Sequence, residues 1–124
     1  MSTKLHDPAT HAVLGVSVAP KHLTAGENGA AVDLVAADGN AFAILSVGQV
    51  TGDSAVTATL EESHDRSTWA SVPAVSFPTV DGESSAVVRT FTRTRRYVRA
   101  VVAVSGADHD VYAGVLVGGQ KKSV

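Results

Sequence analysis

From Arg96 the sequence RYVRAVVAV alternates: Val98, Ala100, Val102 and Val104 fall on one side of an extended chain, and Tyr97, Arg99, Val101 and Ala103 on the other. That two-residue period belongs to a pleated strand. No window of comparable length carries the 3.6-residue period of an amphipathic helix. Any core this chain builds is therefore expected to be built from strands.

The same reading places strands elsewhere. Ala30 to Ala36 alternates around Asp33, and Ala41 to Val47 follows with Phe42 and Ile44 on one face and Leu45 and Val47 on the other. Asp38-Gly39-Asn40 between them is the composition of a tight hairpin turn, so these two strands are expected to pair. Ala55 to Ser63 sets Val56, Ala58 and Leu60 against Thr57, Thr59 and Glu61, a strand with one wet face. Thr68 to Val72 is followed by an irregular segment that includes Phe77 and is bracketed by Pro73 and Pro78, which suits an edge or a connection. Ser85 to Phe91, Arg96 to Val104 and Val111 to Val117 complete the set. Such spacing predicts a single antiparallel β-sandwich of jelly-roll or related topology. Residues 29–119 are its expected extent, with an N-terminal arm at 1–28 and a solvated tail at 120–124.

A chain of 124 residues supports one core, and here 44% hydrophobic content comes mostly from Val and Ala, with one Trp, two Tyr and three Phe. Such a core is thin and gains from burial against a partner. Cys is absent, so disulfides and thiolate chemistry are excluded. The start, MSTKLHDPATHAVLGVSVAP, has too short and interrupted an apolar run for a secretion signal, and no stretch approaches the roughly 20 apolar residues of a membrane span. The expectation is a protein without membrane contact, made in the cytoplasm.

The net charge of −2 hides a segregation. Residues 29–88 hold eight acids against Arg66 alone, whereas residues 89–99 hold five arginines and no acid. Arg93, Arg95 and Arg99 are therefore candidates for contact with an acidic partner surface. The alternative is that these arginines pair with Glu61, Glu62 or Asp33 inside the same sheet. With no aromatic residues interleaved among them and an acidic chain overall, nucleic acid is not the expected partner.

Asp108-His109-Asp110 and His64-Asp65 have the chemistry of metal ligands, but both are turn sequences whose polar groups serve the local backbone. No nucleophile elbow positions a serine, and no glycine-rich loop leads into a helix, so neither catalysis nor a cofactor or metal is expected. Trp69 reads either as a sugar-stacking platform or as a core anchor, and the large apolar area of a lone Trp favours the core. Tyr97 is likewise expected as a core or corner residue.

The run Leu60-Glu61-Glu62-Ser63-His64-Asp65-Arg66-Ser67-Thr68-Trp69, followed by Arg95-Arg96-Tyr97-Val98-Arg99-Ala100 and a closing Val-rich strand ending in Gly-Gly, resembles small structural proteins of tailed bacteriophages and prophages. The resemblance covers roughly residues 30–119. It departs at Arg66, where the pattern has Gly and the turn needs positive φ or another path. It implies a virion protein made in the host cytoplasm, a head decoration or cement protein on the capsid surface. The implied partners are the major capsid protein and copies of itself, with a trimer by analogy. The same elements are similar to discoidin-like carbohydrate-binding jelly rolls, which makes a sugar-binding module the alternative; head-tail connector, tail and baseplate proteins are others.

The arm has no counterpart in that resemblance. Leu14, Val16 and Val18 alternate as an added strand does, and are expected to reach the edge of a neighbouring subunit's sheet or the shell beneath. If the strand is instead intrinsic, Leu14 and Val16 should pack in their own domain's core.

Overall fold

A computed structural model describes residues 12–122. Among the described residues, nine strands follow one another without a helix: β1 (Ala12–Leu23), β2 (Glu27–Asn28), β3 (Val32–Asp33), β4 (Ala37–Val50), β5 (Ser54–Ser63), β6 (Ala70–Ser76), β7 (Ser85–Thr92), β8 (Tyr97–Gly106) and β9 (Val111–Lys121). One sheet has the order β1-β9-β4-β7, and the other β2-β8-β5-β6 with β3 also on β8. Every pairing is antiparallel. The pairs β1 with β9, β2 and β3 with β8, β4 with β7, and β5 with β6 are those of one long hairpin rolled up on itself, which is the jelly-roll winding.

Alternation decides which residues meet between the sheets. Val56, Ala58 and Leu60 of β5 and Val98, Ala100 and Val102 of β8 are all buried, while Thr59 is exposed and Thr57 and Glu61 half-exposed, as the sequence pattern predicts. From the four-stranded sheet, Ala41, Ala43, Leu45 and Val47 of β4 meet them, with Val111, Ala113, Val115 and Val117 of β9. Phe77 and Phe91 are the aromatic members of this core. β6, at the end of its sheet, carries Pro73, in keeping with the edge expected there.

Four expectations are corrected. Asp38-Gly39-Asn40 is not a hairpin turn: it lies inside β4, where the Asp38 carboxylate accepts the Asn40 N–H at 2.7 Å and the ladder with β9 slips between Ala37 and Ala41. Its glycine takes no positive φ. The chain turns earlier, where Ala37 N–H bonds to Leu34 C=O at 2.9 Å, and the short β3 pairs with β8 in the other sheet. Residues 12–23, expected in an arm, form β1, paired with β9 in the chain's own sandwich and burying Val18 and Leu23 in the core. Positions 1–11 of the expected arm lie outside the described residues. The expected tail begins too early, since Gln120 and Lys121 belong to β9 and pair with Ala12 and Ala37; residues 123–124 lie outside the described residues. Trp69, expected in the core, is half-exposed, as is Tyr97, expected in the core or at a corner. The core closes on small side chains, and the wide rings instead lie beside arginines at the surface.

Candidate functional site

The outer face of the four-stranded sheet is apolar where a solvated sheet would be polar. On β4 the residues opposite the core are Phe42, Ile44 and Ser46. Register carries Ile44 across to Leu116 on β9 and to Val88 on β7, and Leu116 to Val16 on β1. Val16, Leu116, Ile44 and Val88 thus form one row across all four strands. Leu14, Gly118, Phe42 and Thr90 form the next row. Gly118 leaves a gap that its neighbours fill: a Cβ there would lie 2.8 Å from Phe42 Cζ and 3.1 Å from Leu14 Cδ1. Leu14, Val16 and Val88 remain 58%, 51% and 53% exposed, values that are high for aliphatic side chains gathered on one surface. No Asp, Glu, Lys or Arg occupies an outward position of these rows or of the Ser46, Gly114 and Ala86 row beside them.

This face collects two of the three apolar residues singled out from the sequence, Leu14 and Val16, on a strand that pairs with β9 of its own sheet. Val18 leaves the set. The ladder shifts register between Val16 and Val18, so the bulge at Ser17 turns Val18 into the core, where it is 1% exposed. The sequence reading missed Phe42, Ile44, Val88 and Leu116. Its available signal was the run AFAILSV, apolar on both sides of the strand, which marks a strand covered on both faces.

The outer face of the other sheet is charged, and its charges are paired. Arg99 donates from Nε and Nη2 to Glu61 Oε1 at 2.9 and 2.7 Å, with its guanidinium 4.2 Å from the Trp69 ring centroid. Arg96 forks onto both Asp33 oxygens at 2.9 and 2.8 Å, which lowers the Asp33 carboxyl to about 2. The Tyr97 ring has guanidinium groups of Arg66 and Arg96 each 5.1 Å from its centroid. Arg93 donates to the carbonyls of Ala37 and Arg95 at 2.7 and 3.1 Å. Glu62, 8% exposed, receives no arginine; its oxygens accept the Thr94 N–H and hydroxyl at 3.1 and 2.7 Å. Of the three arginines assigned to a partner, Arg93 and Arg99 are thus engaged within the chain, and among the described residues the Arg95 guanidinium makes no such bond. The intramolecular alternative accounts for Asp33 and Glu61.

Charge is also sorted along the strands. At the end where β8 begins and β9 finishes lie Arg66, Arg93, Arg95, Arg96, Lys121 and Lys122, against Asp33, Asp38, Glu62 and Asp65. At the opposite end lie Glu27, Asp53, Asp81, Glu83, Asp108 and Asp110, against Lys21, which bonds to Glu27 at 2.9 Å. The Asp108–Asp110 and His64–Asp65 clusters fall at opposite ends and are not brought together. Asp108 accepts the Asp53 N–H at 2.7 Å, Asp110 lies 3.1 Å from His22 Nδ1, and Asp65 accepts the Ser67 and Thr68 N–H groups at 2.9 and 3.0 Å. Each holds its own loop, and no group of three metal-ligating side chains occurs among the described residues.

The winding defines a jelly-roll sandwich, and its four-stranded sheet carries an uncharged outer face. Solved structures share the architecture at low sequence identity. The PBSX exported protein XepA is similar over 88% of this chain and 37% of its own length, with a TM-score of 0.59 and 15% identity. A chain of infectious bursal disease virus, Gx strain, is similar over 90% of this chain and 33% of its own, with a TM-score of 0.52 and 8% identity. The present chain therefore spans about a third of the length of each, and the likeness is one of fold. No protein-family model matches the chain, and no curated protein matches it by sequence.

Proposed function

We propose that this chain is a structural protein of a virus particle, and specifically a decoration protein that attaches to the assembled head of a tailed phage. The observation that carries the reading is the uncharged row Val16, Leu116, Ile44 and Val88, left half-open across a sheet whose other side is already a complete core. Aliphatic surface of that extent marks a chain that works within an assembly, where a further copy or another protein covers it, at roughly 25 cal/mol per Å² removed from water. The architecture shared with a chain of infectious bursal disease virus supports the same reading, as does the likeness of the β5–β6 turn and of the start of β8 to phage structural proteins. Its partners are then the major capsid protein and further copies of itself. The sugar-binding alternative loses support at Trp69, whose ring is already stacked by Arg99.

The test is sedimentation of the purified chain with heads that lack it. Saturable co-sedimentation at a fixed ratio to the capsid subunit is expected. A chain that stays in the supernatant at every concentration refutes the decoration role.

A further inference from the structure

We infer that the occupant of the apolar face is a second copy of this chain, packed face to face with its strands running opposite to those of the first. Three observations lead there. The row Val16, Leu116, Ile44 and Val88 crosses β9 and β4 at their midpoints, so a two-fold axis laid along the row sets each of these residues against its own counterpart and centres the two sheets on one another. Second, the face has no charge that such a pairing would strand in a dry layer. The charge lies at the two ends, basic at the start of β8 and acidic at the start of β9. An axis across the strands places the basic end of one copy over the acidic end of the other, whereas an axis along the strands would stack like on like. Packed sheets lie about 10 Å apart, close to the screening length of about 8 Å at physiological salt, so these end charges are felt across the interface.

The third observation is size. Four strands spaced by about 4.8 Å, with about seven residues of roughly 3.4 Å each from Ala41 to Val47, give a footprint of about 450 Å². With the corrugation of its side chains, such a face covered from both sides buries roughly 1,200 Å², the lower bound for a stable interface. The result is a dimer, in place of the trimer implied by resemblance.

Capsid attachment and self-association are measured separately, so either can fail alone. The full chain in equilibrium sedimentation at micromolar concentration is expected at twice its 12.7 kDa mass, and a monomer throughout overturns the inference. Val88→Asp and Val16→Asp change half-exposed side chains, so their far-ultraviolet spectra should match the parent while the dissociation constant rises at least about tenfold; an undiminished dimer places the contact elsewhere. Because the chain has no cysteine, orientation is read by cross-linking. Mild oxidation of Ile44→Cys should give a covalent dimer. A dimer that cross-links only when Ile44→Cys and Leu116→Cys are combined has the axis along the strands and overturns the antiparallel arrangement.

Discussion

Ser17 on β1 and Ala100 on β8 belong to different sheets, yet the Ser17 hydroxyl accepts the Ala100 N–H at 2.8 Å. The same oxygen donates to Ala30 C=O at 2.9 Å, and Ala30 returns its N–H to Ser17 C=O at 2.7 Å. Gly29 beside them accommodates this crossing because a Cβ would meet the Ser17 hydroxyl and lie 2.9 Å from the Ala100 carbonyl oxygen. The bulge that inverts β1 at this point thus also stitches the open side of the roll.

Removing the stitch leaves the buried Ala100 N–H without an acceptor and the part-buried Ala30 carbonyl without its hydroxyl donor. Ser17→Ala is expected to destabilise the fold by about 1–3 kcal/mol, while Ser46→Ala on the outer face should stay within about 0.5 kcal/mol. Urea unfolding midpoints check both, and equal midpoints would show that the sheets hold together at that edge without the hydroxyl.

Arg66 holds φ at 65°, in the left-handed region that glycine reaches freely and a residue with a Cβ does not. Ser63 Oγ fixes the turn by accepting the Asp65 and Arg66 N–H groups at 3.1 and 2.9 Å, so the strain cannot relax locally. Arg66→Ala retains the strain and loses the contact with Tyr97, whereas Arg66→Gly loses the contact but relieves the strain. The Gly variant should be the more stable of the two by about 1 kcal/mol in thermal or urea unfolding.

Acid should weaken the fold through two carboxyls. Asp65 is lowered from 3.8 to about 2 by the N–H groups of Thr68 and Ser67 and the Ser63 hydroxyl, and Asp33 to about 2 chiefly by the Arg96 fork. Groups depressed in the fold contribute stability above their unfolded value and lose it as pH falls through the folded one. Melting temperature should therefore decline between about pH 4 and pH 2, and Asp65→Asn should flatten that decline. Salt should shrink the Asp33 share more than the Asp65 share, because one is an exposed ion pair and the other a set of backbone bonds.

β5 was legible because Val56, Ala58 and Leu60 alternate with Thr57, Thr59 and Glu61, and β8 because Val98, Ala100 and Val102 alternate through a run long enough to cross a sheet, so one register buries each apolar set. The same rule misled at Asp38-Gly39-Asn40: its local chemistry favours a turn, but β4 gains ladders with both β7 and β9 by staying extended, and the polar triplet is absorbed as an irregularity. A bulge has no such local signature, so nothing in Leu14, Val16 and Val18 announces that the third reverses its direction. The arginine pairs were legible as one of two alternatives, and cross-strand register decided it, with Arg99 opposite Glu61. The apolar face required four strands to be placed before its row existed, and only its contribution from β4 could be read in advance.

The proposed decoration role places this chain on the outside of a viral head. Its most direct test is the copy number of the chain relative to the major capsid protein in purified particles, by quantitative mass spectrometry. A decoration role predicts copies on the order of hundreds, in fixed proportion to the capsid lattice. A count of about six or twelve, as in a connector ring, or none at all, would contradict it.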